Sequence, residues 1–579
     1  MRSRRLVAAM LSASMVAASL TGCGGTKGET AASDGSSGTT AVSTEKTVED
    51  SIYNPPGTLP IVKEPITITI FAPADGDKSR LDNAQTKELE EKTGIHIEWQ
   101  IAASSDSVKD KLSTMFASKN MTDIILTGVG ADKMDKATEA MIASQGLIMP
   151  LNDLIDQYSV GFKKAFEEID GLKEYITTPD GNIYSLPNVD GSLHMQYLDK
   201  LWINTKWLDH LGLSMPETTE ELEQVLKAFK EQDANGNGNP DDEIPLSTIG
   251  GDILSSQLDG FLMNPFQLTP DTNRLYLEDG KVVYSPTTDG YKEGLKYLHN
   301  LYEQGLINPE SFTQDHSNQV NMNEAGEECV IGAFLGMRPG FACDLTTMPN
   351  SKKWEQYQSV APLKGPDGQQ ISAWNPYVGF QSGMTFISST CQYPEAAFRL
   401  LDYLATDEMT YRSALGIEGK HWRKAEEGEL GMNGKQALYT RLNVPNDNES
   451  WDQLTCLIRT RDFIEGETTN LDPYGDDVLP LNGRQIVMYN ASLEHAKYAQ
   501  PMESVMPELY MSEQNASELA FLKTNVTDTH REAFVQFVTG TKDIDAEWDN
   551  YLQSLENVGL SQYLSILQEA YDSSTFSRK

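Results

Sequence analysis

The stretch DANGNGNPDDE, Asp233 to Glu243 of this 579-residue chain, holds the residues whose types and spacing point most directly to chemistry. Asp233, Asn235 and Asn237 set carboxylate and amide oxygens at alternate positions, and Gly238 follows. That pattern matches positions 1, 3, 5 and 6 of a Ca2+ loop, in which alternating oxygens turn inward and the glycine allows the sharp bend. Asn239 would lend a backbone carbonyl at the seventh position, and Asp241 falls at the ninth. The twelfth position is Ile244 rather than Glu, so the EF-hand pattern fails at its closing ligand. Asp242 or Glu243 must close the loop. Three carboxylates in a row repel one another unless a cation lies between them. The expected ion is structural: every oxygen comes from one loop, which leaves no coordination position facing a substrate.

Catalytic signatures are missing from the sequence. There is no Gly-x-Ser-x-Gly elbow, no His-Glu-x-x-His, no P-loop and no dinucleotide glycine motif. The eight His do not cluster, and 85 acidic residues make carboxylate pairs unavoidable, so no glycosidase dyad can be read from them. The chain reads as a non-enzyme. Its formal charge of −39 excludes a basic nucleic-acid-binding face, which needs Lys and Arg against phosphates.

The elements that must position any site begin after a targeting segment. MRSRR is a positive n-region, LVAAMLSASMVAASL is an apolar run too short to span a bilayer comfortably, and LTGC ends at Cys23. The order resembles a lipoprotein signal, residues 1–22, with Cys23 acylated (diacylglyceryl, palmitate) as the new N-terminus. Residues 23–60 form a tether: 17 of the 23 residues at 24–46 are Gly, Ala, Ser or Thr, enough for a flexible reach of about 25–30 Å. Cys329, Cys343, Cys391 and Cys456 show no Cys-x-x-Cys spacing; a Cys329–Cys343 disulfide and four buried thiols both remain open.

Order is expected from Ile61. EPITITIFAP, HIEWQIA and TDIILTG read as strands separated by amphipathic helices, a β-α-β-α-β run whose connections suit a partly parallel sheet. TTEELEQVLKAFKEQ is a Thr-capped helix with Leu222, Val225, Leu226 and Phe229 on one face. LYLEDGKVVYSP is a hairpin turning at Asp279-Gly280, and the region from Ala496 to Tyr571 is mostly helical.

Five blocks in this order resemble the large extracellular solute-binding lipoproteins of sugar-type ABC importers in Gram-positive bacteria. They are GLIMPLNDLI, LWINTKWLDHLGLSMPETTEELEQVLKAFKEQDANGNGNPDDEIPLS, YKEGLKYLHNLYEQGLINPE, GIEGKHW and FVTGTKDIDAEWDNYLQSLENVGLSQYLSILQEAYD. The resemblance implies an α/β, two-lobed periplasmic-binding-protein-like fold (class II) with discontinuous lobes and extra C-terminal helices. It implies lobe 1 at 61–190 plus 375–415, and lobe 2 at 191–374 plus 416–579. The expected crossings are Tyr184–Asp199, Pro362–Trp374 and Gly416–Trp422. It also implies a structural Ca2+ held by Asp233, Asn235, Asn237, Asn239, Asp241, Asp242 and Glu243.

The implied function is capture of a carbohydrate, an oligosaccharide, between the lobes and its delivery to ABC permease subunits. The receptor would be a monomer, lipid-anchored at the extracellular face of the membrane. A same-fold receptor for peptide or another polar solute is the alternative, and a surface glycoside hydrolase a weaker one. Sugar rings need flat aromatic faces ringed by planar polar groups. The candidates at crossings and strand ends are Trp374, Asn375 and Tyr377; Trp422 with His421; Tyr197, Trp202 and Asn204; and Asp190 and Asp75.

Overall fold

The computed structural model describes residues 51–74, 81–102, 105–128, 134–250, 257–270, 273–344, 351–446, 448–451, 456–469 and 480–578. The signal segment, Cys23, the tether at 24–46 and Asp75 lie outside the described residues. Ile52–Lys579 forms one compact unit.

The first lobe is built on a six-stranded sheet in the spatial order Ile458–Arg459, Ser185–Asp190, Phe380–Ile387, Ile124–Leu126, Ile66–Pro73 and Ile95–Ala102. Ile66–Pro73 runs parallel to both Ile95–Ala102 and Ile124–Leu126, as the long helical connections require. Phe380–Ile387 returns antiparallel between Ile124–Leu126 and Ser185–Asp190. Helices cover the sheet, and its apolar side chains, Ile68, Ile70, Ile124 and Leu126 among them, are buried. The helix Ala84–Thr93 shows how local sequence sets these bounds: Asn83 caps its start, and Gly94 ends it in the left-handed region.

Order begins before Ile61, contrary to the tether boundary at residue 60. Tyr53 bridges Val62. Arg399 donates to the carbonyls of Asn54 (2.7 Å) and Pro55 (2.9 Å). A guanidinium buried beside an apolar helix face must spend its donors on such carbonyls, and that fastens the strap.

The second lobe holds a four-stranded sheet ordered Tyr357–Ser359, Leu201–Asn204, Ile331–Leu335 and Ile244–Ser247. The helix Thr219–Glu231 packs on it with Leu222, Val225, Leu226 and Phe229 buried, the face its spacing predicts, and Thr218 and Glu221 close a capping box. Gly332 lies in the buried strand because any Cβ there would come within 2.5 Å of Phe229 and 2.8 Å of Trp207. The hairpin turns at Asp279 and Gly280, both at positive φ. The helices Glu513–Val538, Ile544–Asn557 and Leu560–Ser573 complete this core.

The chain crosses from the first lobe to the second between Asp190 and Leu201, and returns between Ser359 and Phe380. The expected third crossing at Gly416–Trp422 is corrected by the sheet. Ile458–Arg459 pairs parallel with Val189–Asp190 in the first lobe, and Trp451 and Cys456 pack into that lobe's core. The described residues of 416–469 therefore belong with lobe 1, whereas the helix Pro480–Ala496 packs with lobe 2 through Val487 and Ala491. A short hairpin flanked by Gly and charged residues reads like a linker, yet Trp422 and Tyr439 give it an apolar underside that must be covered. Cys329, Cys343, Cys391 and Cys456 are free thiols.

Candidate functional site

The strand Ser185–Asp190 delivers Asp190 to the point where the chain leaves lobe 1. Gly191 allows a close approach here: a Cβ would meet Arg461 N at 2.3 Å and Thr460 C at 2.5 Å. Arg459 pairs with Asp190 at 3.0 Å, and the backbone N–H of Ser192 donates to the same carboxylate at 3.0 Å. Burial pushes the Asp190 carboxyl up, but Arg459 and Ser192 outweigh it and hold the group below the usual range. The short helix Leu193–Gln196 follows. Its His194 is pushed down to about 4 by burial, aided by Lys200, Arg338 and Arg459, so the imidazole is neutral at physiological pH.

A cavity of about 720 Å³ opens beside this crossing, a size suited to a small-molecule ligand. Its wall takes Asp190 and Gln196 from the first crossing and Phe380 from the second. Tyr411, Arg461 and Phe463 of lobe 1 complete it, so that its described wall comes from lobe 1 and the crossings.

Trp374, Asn375 and Tyr197 converge on Gln196. Trp374 is half-buried and stacks on Tyr197, with ring centroids 6.4 Å apart and an interplanar angle of 20°. Its Nε1 donates to Gln196 Oε1 at 3.3 Å, its backbone N–H donates to Gln500 Oε1 at 3.0 Å, and Asn375 N donates to Gln196 O at 3.0 Å. Both crossings are thereby tied together around one amide side chain that faces the cavity.

The remaining sequence candidates have other places. Tyr377 turns into the lobe 1 core, stacked on Tyr175 at 5.7 Å and edge-on to Phe576. Trp202 is fully buried, and its Nε1 donates to the Gly336 carbonyl at 2.8 Å. Asn204 caps the helix Thr205–Leu211, accepting from Trp207 N. Trp422 lies 4.9 Å from Tyr411 in a cluster with Tyr439 and Phe463, and borders a separate cavity of about 570 Å³. His421 is buried, accepting from Ile417 N at 2.9 Å and facing Glu449 at 3.2 Å. Aromatic type alone does not separate a ring that packs in the core from one beside a cleft. Gln196, His194, Gln500 and Arg459 were missed because a search for rings passes over amides and cations; the one signal for Gln196 was its place beside Tyr197 in the first crossing.

In the loop Asp233–Glu243, side-chain oxygens accept from the loop's own N–H groups. Asp233 Oδ2 accepts from Gly238 N at 2.9 Å, and Asn235 Oδ1 accepts from Asn237 N at 2.9 Å. Asp242 takes both the Asn235 and Asn237 amides, at 2.9 and 2.8 Å. Asp233 Oδ1 and Glu243 Oε2 are buried with no hydrogen-bond partner. Burial pushes the Glu243 carboxyl up, and Asp242 adds to the shift. Two buried carboxylate oxygens without donors, among amide oxygens, fit a hard cation. Asn239 and Asp241 are exposed. Among the described residues no three His, Cys, Asp or Glu side chains form a metal-holding cluster, so such a site would need the asparagines and backbone carbonyls.

This fold and cleft define an extracellular solute-binding protein: residues 75–411 match the bacterial extracellular solute-binding protein family, and the chain belongs to it. It is a substrate-binding protein and not an enzyme. It is 31% identical to the fructooligosaccharide ABC transporter substrate-binding protein FusA of Streptococcus pneumoniae over 84% of this chain and 86% of that one. It is 25% identical to lipoprotein LipO of Bacillus subtilis, over 88% of this chain and 93% of LipO. FusA solved in complex with kestose aligns with a TM-score of 0.66 at 27% identity, covering 88% of this chain and 99% of that chain. An EF-hand mutant of FusA solved with fructo-nystose aligns at 0.65 and 26%, with the same coverage.

Proposed function

We propose that the protein is a lipid-anchored receptor on the extracellular face of the membrane. It captures an oligosaccharide of the fructooligosaccharide type between its lobes and delivers it to an ABC permease. The observation that carries this reading is the 720 Å³ cavity at the crossings, walled by Asp190 and Gln196 with the Trp374–Tyr197 stack behind Gln196. Amide and carboxylate groups at the wall supply hydrogen bonds to ring hydroxyls, and Phe380, Tyr411 and Phe463 supply apolar faces. Ligand contacts made to both lobes favour the closed arrangement, and the chain segments at 190–201 and 359–380 absorb the hinge motion. Closure gives the permease a shape that distinguishes loaded from empty receptor. The receptor acts as a monomer, held to the membrane through Cys23.

The loop Asp233–Glu243 holds one Ca2+ that stabilises lobe 2. Asp233, Asn235, Asn237 and Glu243 supply the ligands, with Glu243 as the closing carboxylate, since its buried Oε2 has no hydrogen-bond partner whereas each Asp242 oxygen already accepts from an amide. The cation neutralises the buried carboxylates and takes no part in ligand contact. The relation to an EF-hand-bearing FusA supports this assignment.

Calorimetric titration with kestose, nystose and unrelated peptides, with chromatography of the sugars afterwards, tests the function. Saturable binding of the sugars without turnover is expected. Binding of peptides alone, or hydrolysis of the sugars, overturns it. Cys23→Ser should release the protein from the membrane fraction, and unchanged fractionation removes the anchor from the account.

A further inference from the structure

The helix Asp407–Leu415 lies between two hollows of lobe 1. Asp407, Thr410 and Tyr411 face the cavity of about 720 Å³ at the crossings. Glu408, Tyr411 and Arg412 face the cavity of about 570 Å³ on the flank. Residues three and four apart share a helix face, so Tyr411 stands at the crest between two such faces and lines both hollows. Leu438, just before the strand Tyr439–Arg441, lines both as well. Leu438 is 46% exposed and Tyr411 is half-buried, so the ridge between the hollows is apolar and open to solvent. Trp422, packed 4.9 Å from Tyr411, supports that ridge from within.

We infer that the flank hollow is an extension subsite for a neutral oligosaccharide: a chain held by one end at the crossings passes over Tyr411 and Leu438 and lays its further units in the second hollow. The inference rests on the receptor reading above. Three observations support it. The hollows are continuous, because the same two side chains wall both. The ridge they form offers a ring and an aliphatic surface to the C–H faces of sugar units. The charges of the second hollow pair with one another: Arg412 donates to Glu88 at 2.5 Å, and Lys92 pairs with Glu88 at 3.0 Å and with Glu408 at 2.6 Å. A charged solute would have to break those pairs. A hydroxyl group uses the lone pairs and N–H groups left over, since a carboxylate accepts at about four positions and an ammonium carries several donors. A chain fastened at the crossings also keeps its free end close to the second hollow, so even a weak site there raises affinity. The receptor then ranks its ligands by chain length.

The test titrates the purified full chain by calorimetry with kestose, nystose, fructo-nystose and longer inulin-type chains. Affinity should go on rising past kestose, to about tenfold tighter for the longest chains. The double variant Glu418→Ala/Lys424→Ala removes two exposed polar side chains from the second hollow, neither of which lines the first. It should bind kestose as the parent does, melt at the parent temperature and lose most of the gain with length. Leu438→Ser should weaken the longest chains by a larger factor than it weakens kestose. An affinity that stays flat from kestose to the longest chain overturns the subsite, as does a gain with length that either variant keeps in full. The two readings fail differently: kestose binding without a gain with length removes only the extension, and no binding of any of these sugars removes the fructooligosaccharide receptor and the extension with it.

Discussion

The flank of lobe 1 and the seam between the lobes handle aromatic and charged groups in opposite ways. On the flank, Trp422 and Tyr439 pack ring against ring with Tyr411 and Phe463, which also line the cavity at the crossings, and the charges around them are paired, Arg423 with Glu429 at 2.6 Å and Arg441 with Glu467 at 3.1 Å. At the seam, titratable groups are buried and shifted. Burial pushes Glu139 up to about 7, His194 down to about 4, Lys200 down to about 7 and His495 down to about 3. Lys136 is enclosed there as well: it donates to the carbonyls of Tyr175 (2.8 Å) and Glu508 (2.9 Å) and sits 3.6 Å from the Tyr175 ring centroid and 4.4 Å from that of Tyr510. A surface that only has to hold together is apolar. One that changes its partners when lobes move keeps polar groups, at a cost in stability.

The largest expected effect breaks the flank. Trp422→Ala should lose about 3–5 kcal/mol of folding stability, as large aromatic truncations in cores do, with oligosaccharide affinity little changed. Denaturant midpoints paired with calorimetry check it; a stable variant with lost affinity would move Trp422 into the ligand site.

The next concerns the seam. The Glu139 carboxyl is raised from 4.5 to about 7 by burial, with Ser185, Lys136 and Tyr510 opposing and Glu508 reinforcing. The folded state therefore holds its proton more tightly than the unfolded chain. Stability from this group is full below pH 4.5 and is lost as pH rises to 7, about 3 kcal/mol in all. Lys200 works the other way: its lowered value makes stability rise with pH above 7. Glu139→Gln should flatten the fall between pH 4.5 and 7 in urea denaturation at successive pH values. An unaltered slope would place the titration elsewhere.

Calcium removal sharpens the contrast from outside both regions. Saturation at 100 times the dissociation constant adds about 2.7 kcal/mol, so chelation should lower the melting temperature correspondingly while kestose affinity holds. A loss of affinity exceeding the loss of stability would put the cation at the ligand. The smallest effect belongs to the seam aromatic: Trp374→Ala should cost about 1–3 kcal/mol of oligosaccharide binding and little stability. A loss seen only in the denaturant midpoint would class it with Trp422.

Much of this arrangement was legible in the sequence, for stated reasons. Leu222, Val225, Leu226 and Phe229 follow helical spacing, and the strands of lobe 1 are β-branched and apolar, so local pattern and tertiary burial agree. The first two crossings were placed from the family resemblance, at Tyr184–Asp199 and Pro362–Trp374; the sheet strands that flank them are Ser185–Asp190 with Leu201–Asn204 and Tyr357–Ser359 with Phe380–Ile387. The assignment of 416–469 was not legible, because a two-residue strand, Ile458–Arg459, decides it through pairing with a strand more than 260 residues earlier. Asn204 and Trp202 were misplaced for a related reason: a cap and a core ring have the same residue types as a sugar site, and only burial distinguishes them. Asp190 and Trp374 stood out by position at a crossing, whereas Gln196 and Arg459 gain meaning only from their partners.

Solution X-ray scattering of the full chain with and without saturating kestose tests the central claim, that oligosaccharide held at the seam closes the lobes. The radius of gyration should fall on binding, and Trp374→Ala should need more sugar to reach the same compact value. An unchanged radius of gyration at a sugar concentration shown by calorimetry to saturate the protein would contradict capture by closure.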